Sequence, residues 1–231
     1  MLPSNPDFFP LKEAKFLLRG VAGDLEIISR ESDTGMARGI GVFCHPNPLE
    51  GGNFNNKVVT TACKAFNHQK LHSIRFNYRG VGLSKGIYGD VIGEIADLKT
   101  VLEWIKRVCP QLPIYLGGIS FGSYVATQVT FEWAHTYNIK QLFSVAPTVD
   151  RRDYTPFTSI PCPWTIIQGE IDEIVSSQTV YQWYASLIET IQNTQNENEI
   201  ILPKLIKIPN AGHFFNGELS ALRYAIEKNL I

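Results

Sequence analysis

A chain of 231 residues, 44% of them hydrophobic and 19% charged, has ample material for a sizeable core. Its 21 Lys+Arg and 22 Asp+Glu leave a formal charge of −1, which speaks against nucleic acid or an anionic lipid surface as partner. The four cysteines, Cys44, Cys63, Cys109 and Cys162, form no C-x-x-C pair and have no histidine at ligand spacing, so neither a zinc site nor a disulfide framework is expected, and a reduced, cytoplasmic setting is.

The first twenty residues contain three prolines and early acids, and their longest apolar run is Phe16-Leu17-Leu18. That is too short for a signal sequence or a spanning helix, so neither export nor a membrane anchor is expected. "AKFLLRG" and "LEIISRE" then read as two strands around a turn at Gly20 to Asp24, a hairpin. From Gly39 the pattern changes to short β-rich runs alternating with helical ones. "GIGVFC" precedes "NKVVTTACKAFNHQK", "LHSIRFNY" precedes "GEIADLKTVLEWIKRV", and "PIYLGGI" precedes "FGSYVATQVTFEWAHTY". The series closes with the strands "IKQLFSVAP" and "PCPWTIIQG", the helix "SQTVYQWYASLIETIQ", the strand "KLIKIP" and the helix "GELSALRYAIEKNL".

Alternation of this kind predicts an α/β fold: about eight strands, mostly parallel, with an N-terminal antiparallel hairpin and helices on both faces. No break in composition interrupts it, so residues 1–231 are assigned to a single domain. The polar run from Asn193 to Glu199 is expected to lengthen the loop before the last strand.

Gly118-Ile119-Ser120-Phe121-Gly122 is a G-x-S-x-G pentad entered by an apolar strand and left by a helix start rich in small residues. A nucleophile elbow needs that strand, turn and helix, and side chains at Gly118 or Gly122 would collide with the neighbouring elements. The plainer reading makes Ser120 an ordinary helix N-cap. A serine hydroxyl needs a base oriented by an acid, and the chain order to look for is Ser, acid, His. Asp172 in "QGEIDEIV" and His213 in "PNAGHFF" both follow predicted strands, and the loops at the carboxyl ends of parallel strands open onto one edge. Asp150 from the preceding strand, and Glu170 and Glu173 beside Asp172, compete for the acid's place. His68, His72 and His135 read as solvent-facing residues on or beside helices. His45 ends a strand on the active edge, where it is expected to hold the turn through side-chain hydrogen bonds.

"FNYRGVGLSKG" has neither G-x-G-x-x-G nor the lysine-serine ending of a P-loop, so it is read as structural. "VYQWYASL" is spaced as the packing face of a helix.

Taken together, "HPNPLEGGNFNNKVV", "FNYRGVGLSKG", "GGISFGS", "GEIDEIV" and "AGHFFNG" resemble the α/β-hydrolase superfamily, and within it small uncapped bacterial hydrolases with a His-Pro-x-Pro loop after the third strand. The resemblance spans about residues 39 to 230. It implies a cofactor-free, metal-free serine hydrolase acting on a small-molecule acyl ester, with Ser120 as nucleophile, His213 as base and Asp172 orienting it. One oxyanion donor would be the backbone N–H of Phe121 and the other an N–H of the loop from His45 to Leu49. Pro46 and Pro48 cannot donate, so Asn47 and Leu49 are the candidates, and relatives place the donor at Asn47. The segment "TVDRRDYTPFTSIPC" is too short for a large cap, which favours small or exposed acyl groups. Arg151 and Arg152 in it are either a solvated pair or an attractor for an anionic substrate. A peptidase, amidase or thioesterase using the same triad, and a non-catalytic binding protein of the same fold, are the alternatives.

Overall fold

The computed structural model describes residues 2–194 and 201–231. Eight strands form one sheet in the order β1-β2-β4-β3-β5-β6-β7-β8. They are β1 (Glu13–Gly20), β2 (Gly23–Arg30), β3 (Gly39–Cys44), β4 (Leu71–Phe76), β5 (Ile114–Ile119), β6 (Ile139–Val145), β7 (Trp164–Gly169) and β8 (Lys204–Ile208). The β1–β2 and β2–β4 pairs are antiparallel, and every pair from β4 to β8 is parallel. The N-terminal hairpin and mostly parallel sheet are as the sequence predicts.

Five helices, α1 (Lys57–His68), α2 (Ile92–Val108), α3 (Phe121–Trp133), α4 (Ser177–Thr194) and α5 (Leu219–Asn229), complete the alternation among the described residues. They bury two separate apolar layers. Alternate side chains of one strand feed the two layers, as the two-residue period of a strand requires: Val42 belongs to the layer that holds α2, α3 and α4, and Phe43 to the layer that holds α1 and α5. The central strands β3, β5 and β7 are buried along their whole length, which is why they read as unbroken apolar runs.

After β3 the chain passes through α1 to β4 on one side, then through α2 back to β5 on the other. The carboxyl ends of β3 and β5 therefore flank the point where strand order reverses, the place where α/β sheets leave a crevice. Residues 146–163, between β6 and β7, contain turns and no helix, so no large cap covers that edge.

Two local expectations change. His72, in the run read as a strand and directly after α1, is not solvent-facing; half-buried, it accepts the N–H of Ser32 (3.1 Å) and stacks on Phe9. Asn193 and Thr194 belong to α4 and not to the loop expected at Asn193 to Glu199; the rest of that run, 195–199, lies outside the described residues. The segment after β4 is tied to the sheet and to α2. Buried Glu26 of β2 accepts from Asn77 (2.7 Å) and the Leu83 N–H (2.9 Å), while buried Asp97 of α2 receives both the side chain and the backbone N–H of Arg79.

Candidate active site

Ser120 sits between β5 and α3 with φ 55° and ψ −121°, a backbone conformation that only a tightly supported side-chain-bearing residue holds. It occupies the N-cap position of α3, yet its side chain makes no capping hydrogen bond, so the plain N-cap reading fails. The flanking glycines are required sterically. A Cβ on Gly118 would stand on the carbonyl of Gly122, and one on Gly122 would stand on the carbonyls of Cys44 and His45.

That second contact joins the elbow to the loop after β3. Strand register pairs Cys44 with Gly118, so the His45–Leu49 loop and Ser120 leave adjacent strands side by side. His45 is fully buried. Its Nε2 accepts the N–H of Tyr78 (3.1 Å), which requires the proton on Nδ1, and Nδ1–H donates to the carbonyl of Pro46 (2.7 Å). Burial lowers its pKa to about 4, so it is neutral at pH 7. It thus ties the loops after β3 and β4 together, as its place at the strand end implied.

Beyond it, Asn47 opens a single 3-10 turn, Pro48–Glu50, and its Oδ1 accepts the N–H of Leu49 (3.1 Å). Leu49 is thereby engaged. Among the described residues no hydrogen bond uses the N–H of Asn47 or of Phe121, the first residue of α3.

Asp172 and His213 follow β7 and β8. His213 Nδ1 lies 2.9 and 3.1 Å from the two carboxylate oxygens of Asp172, with both side chains out of solvent. Burial alone would raise the Asp172 pKa. The contact with His213 and the N–H groups of Val175 (2.8 Å) and Ile174 (2.9 Å) outweigh it and hold the carboxyl below its ordinary range. Asp150, by contrast, faces Arg151 at 3.8 Å. Among the described residues no hydrogen bond joins Ser120 Oγ to His213; catalytic contacts of this kind commonly tighten only around substrate.

Two supporting residues were missed in the sequence. Gln168 Nε2 donates to Asp172 Oδ2 (3.0 Å), and Glu173 accepts the backbone N–H of His213 (3.1 Å), fixing the histidine loop against the acid loop. Gln168 carried a signal, being a polar side chain inside the buried run "WTIIQG". Glu173 had been weighed only as a rival acid.

A depression of about 120 Å³ opens beside Ser120, lined by Asn47, Glu50, Phe121, Thr148, Arg151 and Arg152. No group of three or more His, Cys, Asp or Glu among the described residues is arranged to hold a metal ion. No helix among them is long and apolar enough to cross a membrane.

The family model described as "Serine aminopeptidase, S33" matches residues 48–166. Among curated proteins, the uncharacterized protein RP471 of Rickettsia prowazekii (strain Madrid E) is 32% identical over 193 residues, 83% of this chain and 78% of that one. An alpha-beta serine hydrolase homologue from Coxiella burnetii superposes with a TM-score of 0.82 at 36% identity, covering 96% of this chain and 100% of the other. XC6422 from Xanthomonas campestris, described as an a/b serine hydrolase without lid, gives 0.80 at 34% identity over 96% and 95%.

Proposed function

On the premise that the chain belongs to the serine aminopeptidase S33 family of α/β serine hydrolases, without a lid, we propose that it is a carboxylesterase-like enzyme cleaving small or exposed acyl esters. The observation that carries this reading is the strained Ser120 flanked by two backbone N–H groups, of Asn47 and Phe121, that no hydrogen bond among the described residues uses.

In this reading Ser120 Oγ attacks the ester carbonyl while His213 Nε2 takes the hydroxyl proton, Asp172 holding the Nδ1–H tautomer. Negative charge gathers on the carbonyl oxygen, where the N–H groups of Asn47 and Phe121 receive it. Collapse breaks the bond to the alcohol, which leaves with the proton from His213. Water, deprotonated by the same histidine, then attacks the acyl-enzyme and returns the hydroxyl to Ser120. Neither a cofactor nor a metal is needed. Four unpaired cysteines support the cytoplasm as the setting.

The family's description raises a second reading, an aminopeptidase. Such an enzyme must seat a substrate ammonium group, and among the described residues the depression beside Ser120 is lined by Arg151 and Arg152 with Glu50 as its lining acid, which favours an ester. Fluorophosphonate labelling tests the nucleophile: wild type should label and Ser120→Ala should not, with an unchanged circular-dichroism spectrum. Labelling that survives in Ser120→Ala removes the assignment. Faster turnover of an anilide than of its matched aryl ester would favour the peptidase.

A further inference from the structure

The two arginines beside Ser120 are in different states. Arg151 is engaged: it lies 3.9 Å from Glu50 and 3.8 Å from Asp150, and it donates to the carbonyl of Ile174 (3.2 Å). Arg152 is half-buried over the ring of Phe121, 5.6 Å from its centroid, with one long contact of 3.5 Å to the Tyr88 hydroxyl. Its sequence neighbour Asp153 turns instead to Thr155. No carboxylate among the described residues pairs with the Arg152 guanidinium.

The other donors facing the depression are the backbone N–H groups of Asn47 and Phe121, which no hydrogen bond among the described residues uses. Thr148 also lines it, but its hydroxyl oxygen is buried behind the surface beside the Tyr154 hydroxyl, which bonds Ser123 Oγ (2.9 Å). Arg152 is thus the cation of the depression that has no carboxylate partner among the described residues.

From this arrangement, and resting on the serine-hydrolase reading above, we propose that the substrate's acyl group is short and ends in an anionic group, a carboxylate, that binds Arg152. The acyl side follows from the direction of proton transfer. The alcohol must leave toward His213, which protonates it, whereas the depression lies among the oxyanion donors and does not include His213. Its small volume limits the acyl chain to a few carbons. A carboxylate suits a planar guanidinium as a two-point acceptor, and removal from bulk water strengthens the contact.

Methyl butyrate and monomethyl succinate differ by a terminal methyl in place of a carboxylate, and release of acid from each can be followed directly. Wild type should have the higher kcat/KM on monomethyl succinate, by about tenfold or more. In Arg152→Gln the ratio of the two kcat/KM values should fall by roughly 10- to 100-fold, the effect of losing one charge-assisted contact. Arg152→Lys should fall less, and Arg151→Gln should move the ratio under about threefold because its charge is already engaged. Fluorophosphonate labelling of each variant verifies that the elbow has formed, and Arg152→Lys replaces Arg152→Gln if the latter does not fold. A wild type that labels yet prefers methyl butyrate, or a ratio unmoved by loss of the guanidinium, overturns the acidic acyl group and leaves the hydrolase reading standing. A wild type that neither labels nor cleaves either ester overturns both.

Discussion

Asn47 caps its own turn by accepting the N–H of Leu49 at 3.1 Å, and in doing so removes the other candidate donor of the loop. Between two prolines, its own N–H has no hydrogen-bond partner among the described residues, and in the proposed mechanism it receives the oxyanion. Asn47 has φ −51°, which proline also adopts, so Asn47→Pro deletes the donor without opposing that torsion. Turnover should fall by roughly 10²–10³, the usual effect of losing one oxyanion donor. Asn47→Ala keeps the N–H but loses the cap, which is typically worth about 1 kcal/mol, so a loss of about tenfold or less is expected. Steady-state ester kinetics on both variants check the ranking; equal damage would make the side chain the active part.

The acid can be assigned in the same way. Asp172→Asn should lower turnover on the order of 10³–10⁴, because the amide cannot hold the histidine tautomer. Asp150→Asn should cost less than about threefold, as its carboxylate faces Arg151 rather than His213. Turnover measured at saturating ester ranks the two, and the reverse order would transfer the role to the loop after β6.

His45 makes stability depend on pH. Its folded pKa of about 4 lies below the ordinary 6.5, so the unfolded chain binds the proton first. Stability is fully present above pH 6.5 and is lost as the pH falls from there toward 4. The linkage amounts to about 2 kcal/mol between pH 8 and pH 5. Urea unfolding at the two pH values should therefore show a larger drop in wild type than in His45→Gln, which cannot titrate. Equal drops would mean that His45 accepts a proton without leaving its two hydrogen bonds.

Gly122→Ala tests the contact between elbow and loop. The added methyl would meet the carbonyls of Cys44 and His45 at the end of a buried strand, where backbone cannot yield easily. A loss of about 1–3 kcal/mol in stability is expected, with slower fluorophosphonate labelling in the folded fraction. Thermal melting and labelling rates read the two effects separately, and a variant equal to wild type in both would show that the elbow has room to shift.

Much of this site is legible in the sequence because its parts obey local rules. Ser120 stands in a pentad whose glycines have no other reason to be there, and Asp172 and His213 follow apolar runs that can only be buried parallel strands. His72 was read as solvent-facing because it follows a helix directly and its strand alternates weakly, Arg75 being as partly buried as His72 itself. The tautomer of His45 was beyond reach, since it depends on the N–H of Tyr78, which meets it only through strand pairing. The supporting contacts of Gln168 and Glu173 were hidden for the same reason. Each joins atoms that are close only after the sheet is assembled.

The close seating of Gly122 on the carbonyls of Cys44 and His45 makes the elbow and the loop after β3 one mechanical part. Neither can swing without the other. If the proposed N–H groups of Asn47 and Phe121 serve as donors, a tetrahedral mimic such as a boronic acid meets them already in place, and its inhibition should develop in a single kinetic phase, without the slow second step that marks a receptor reshaping itself around its ligand.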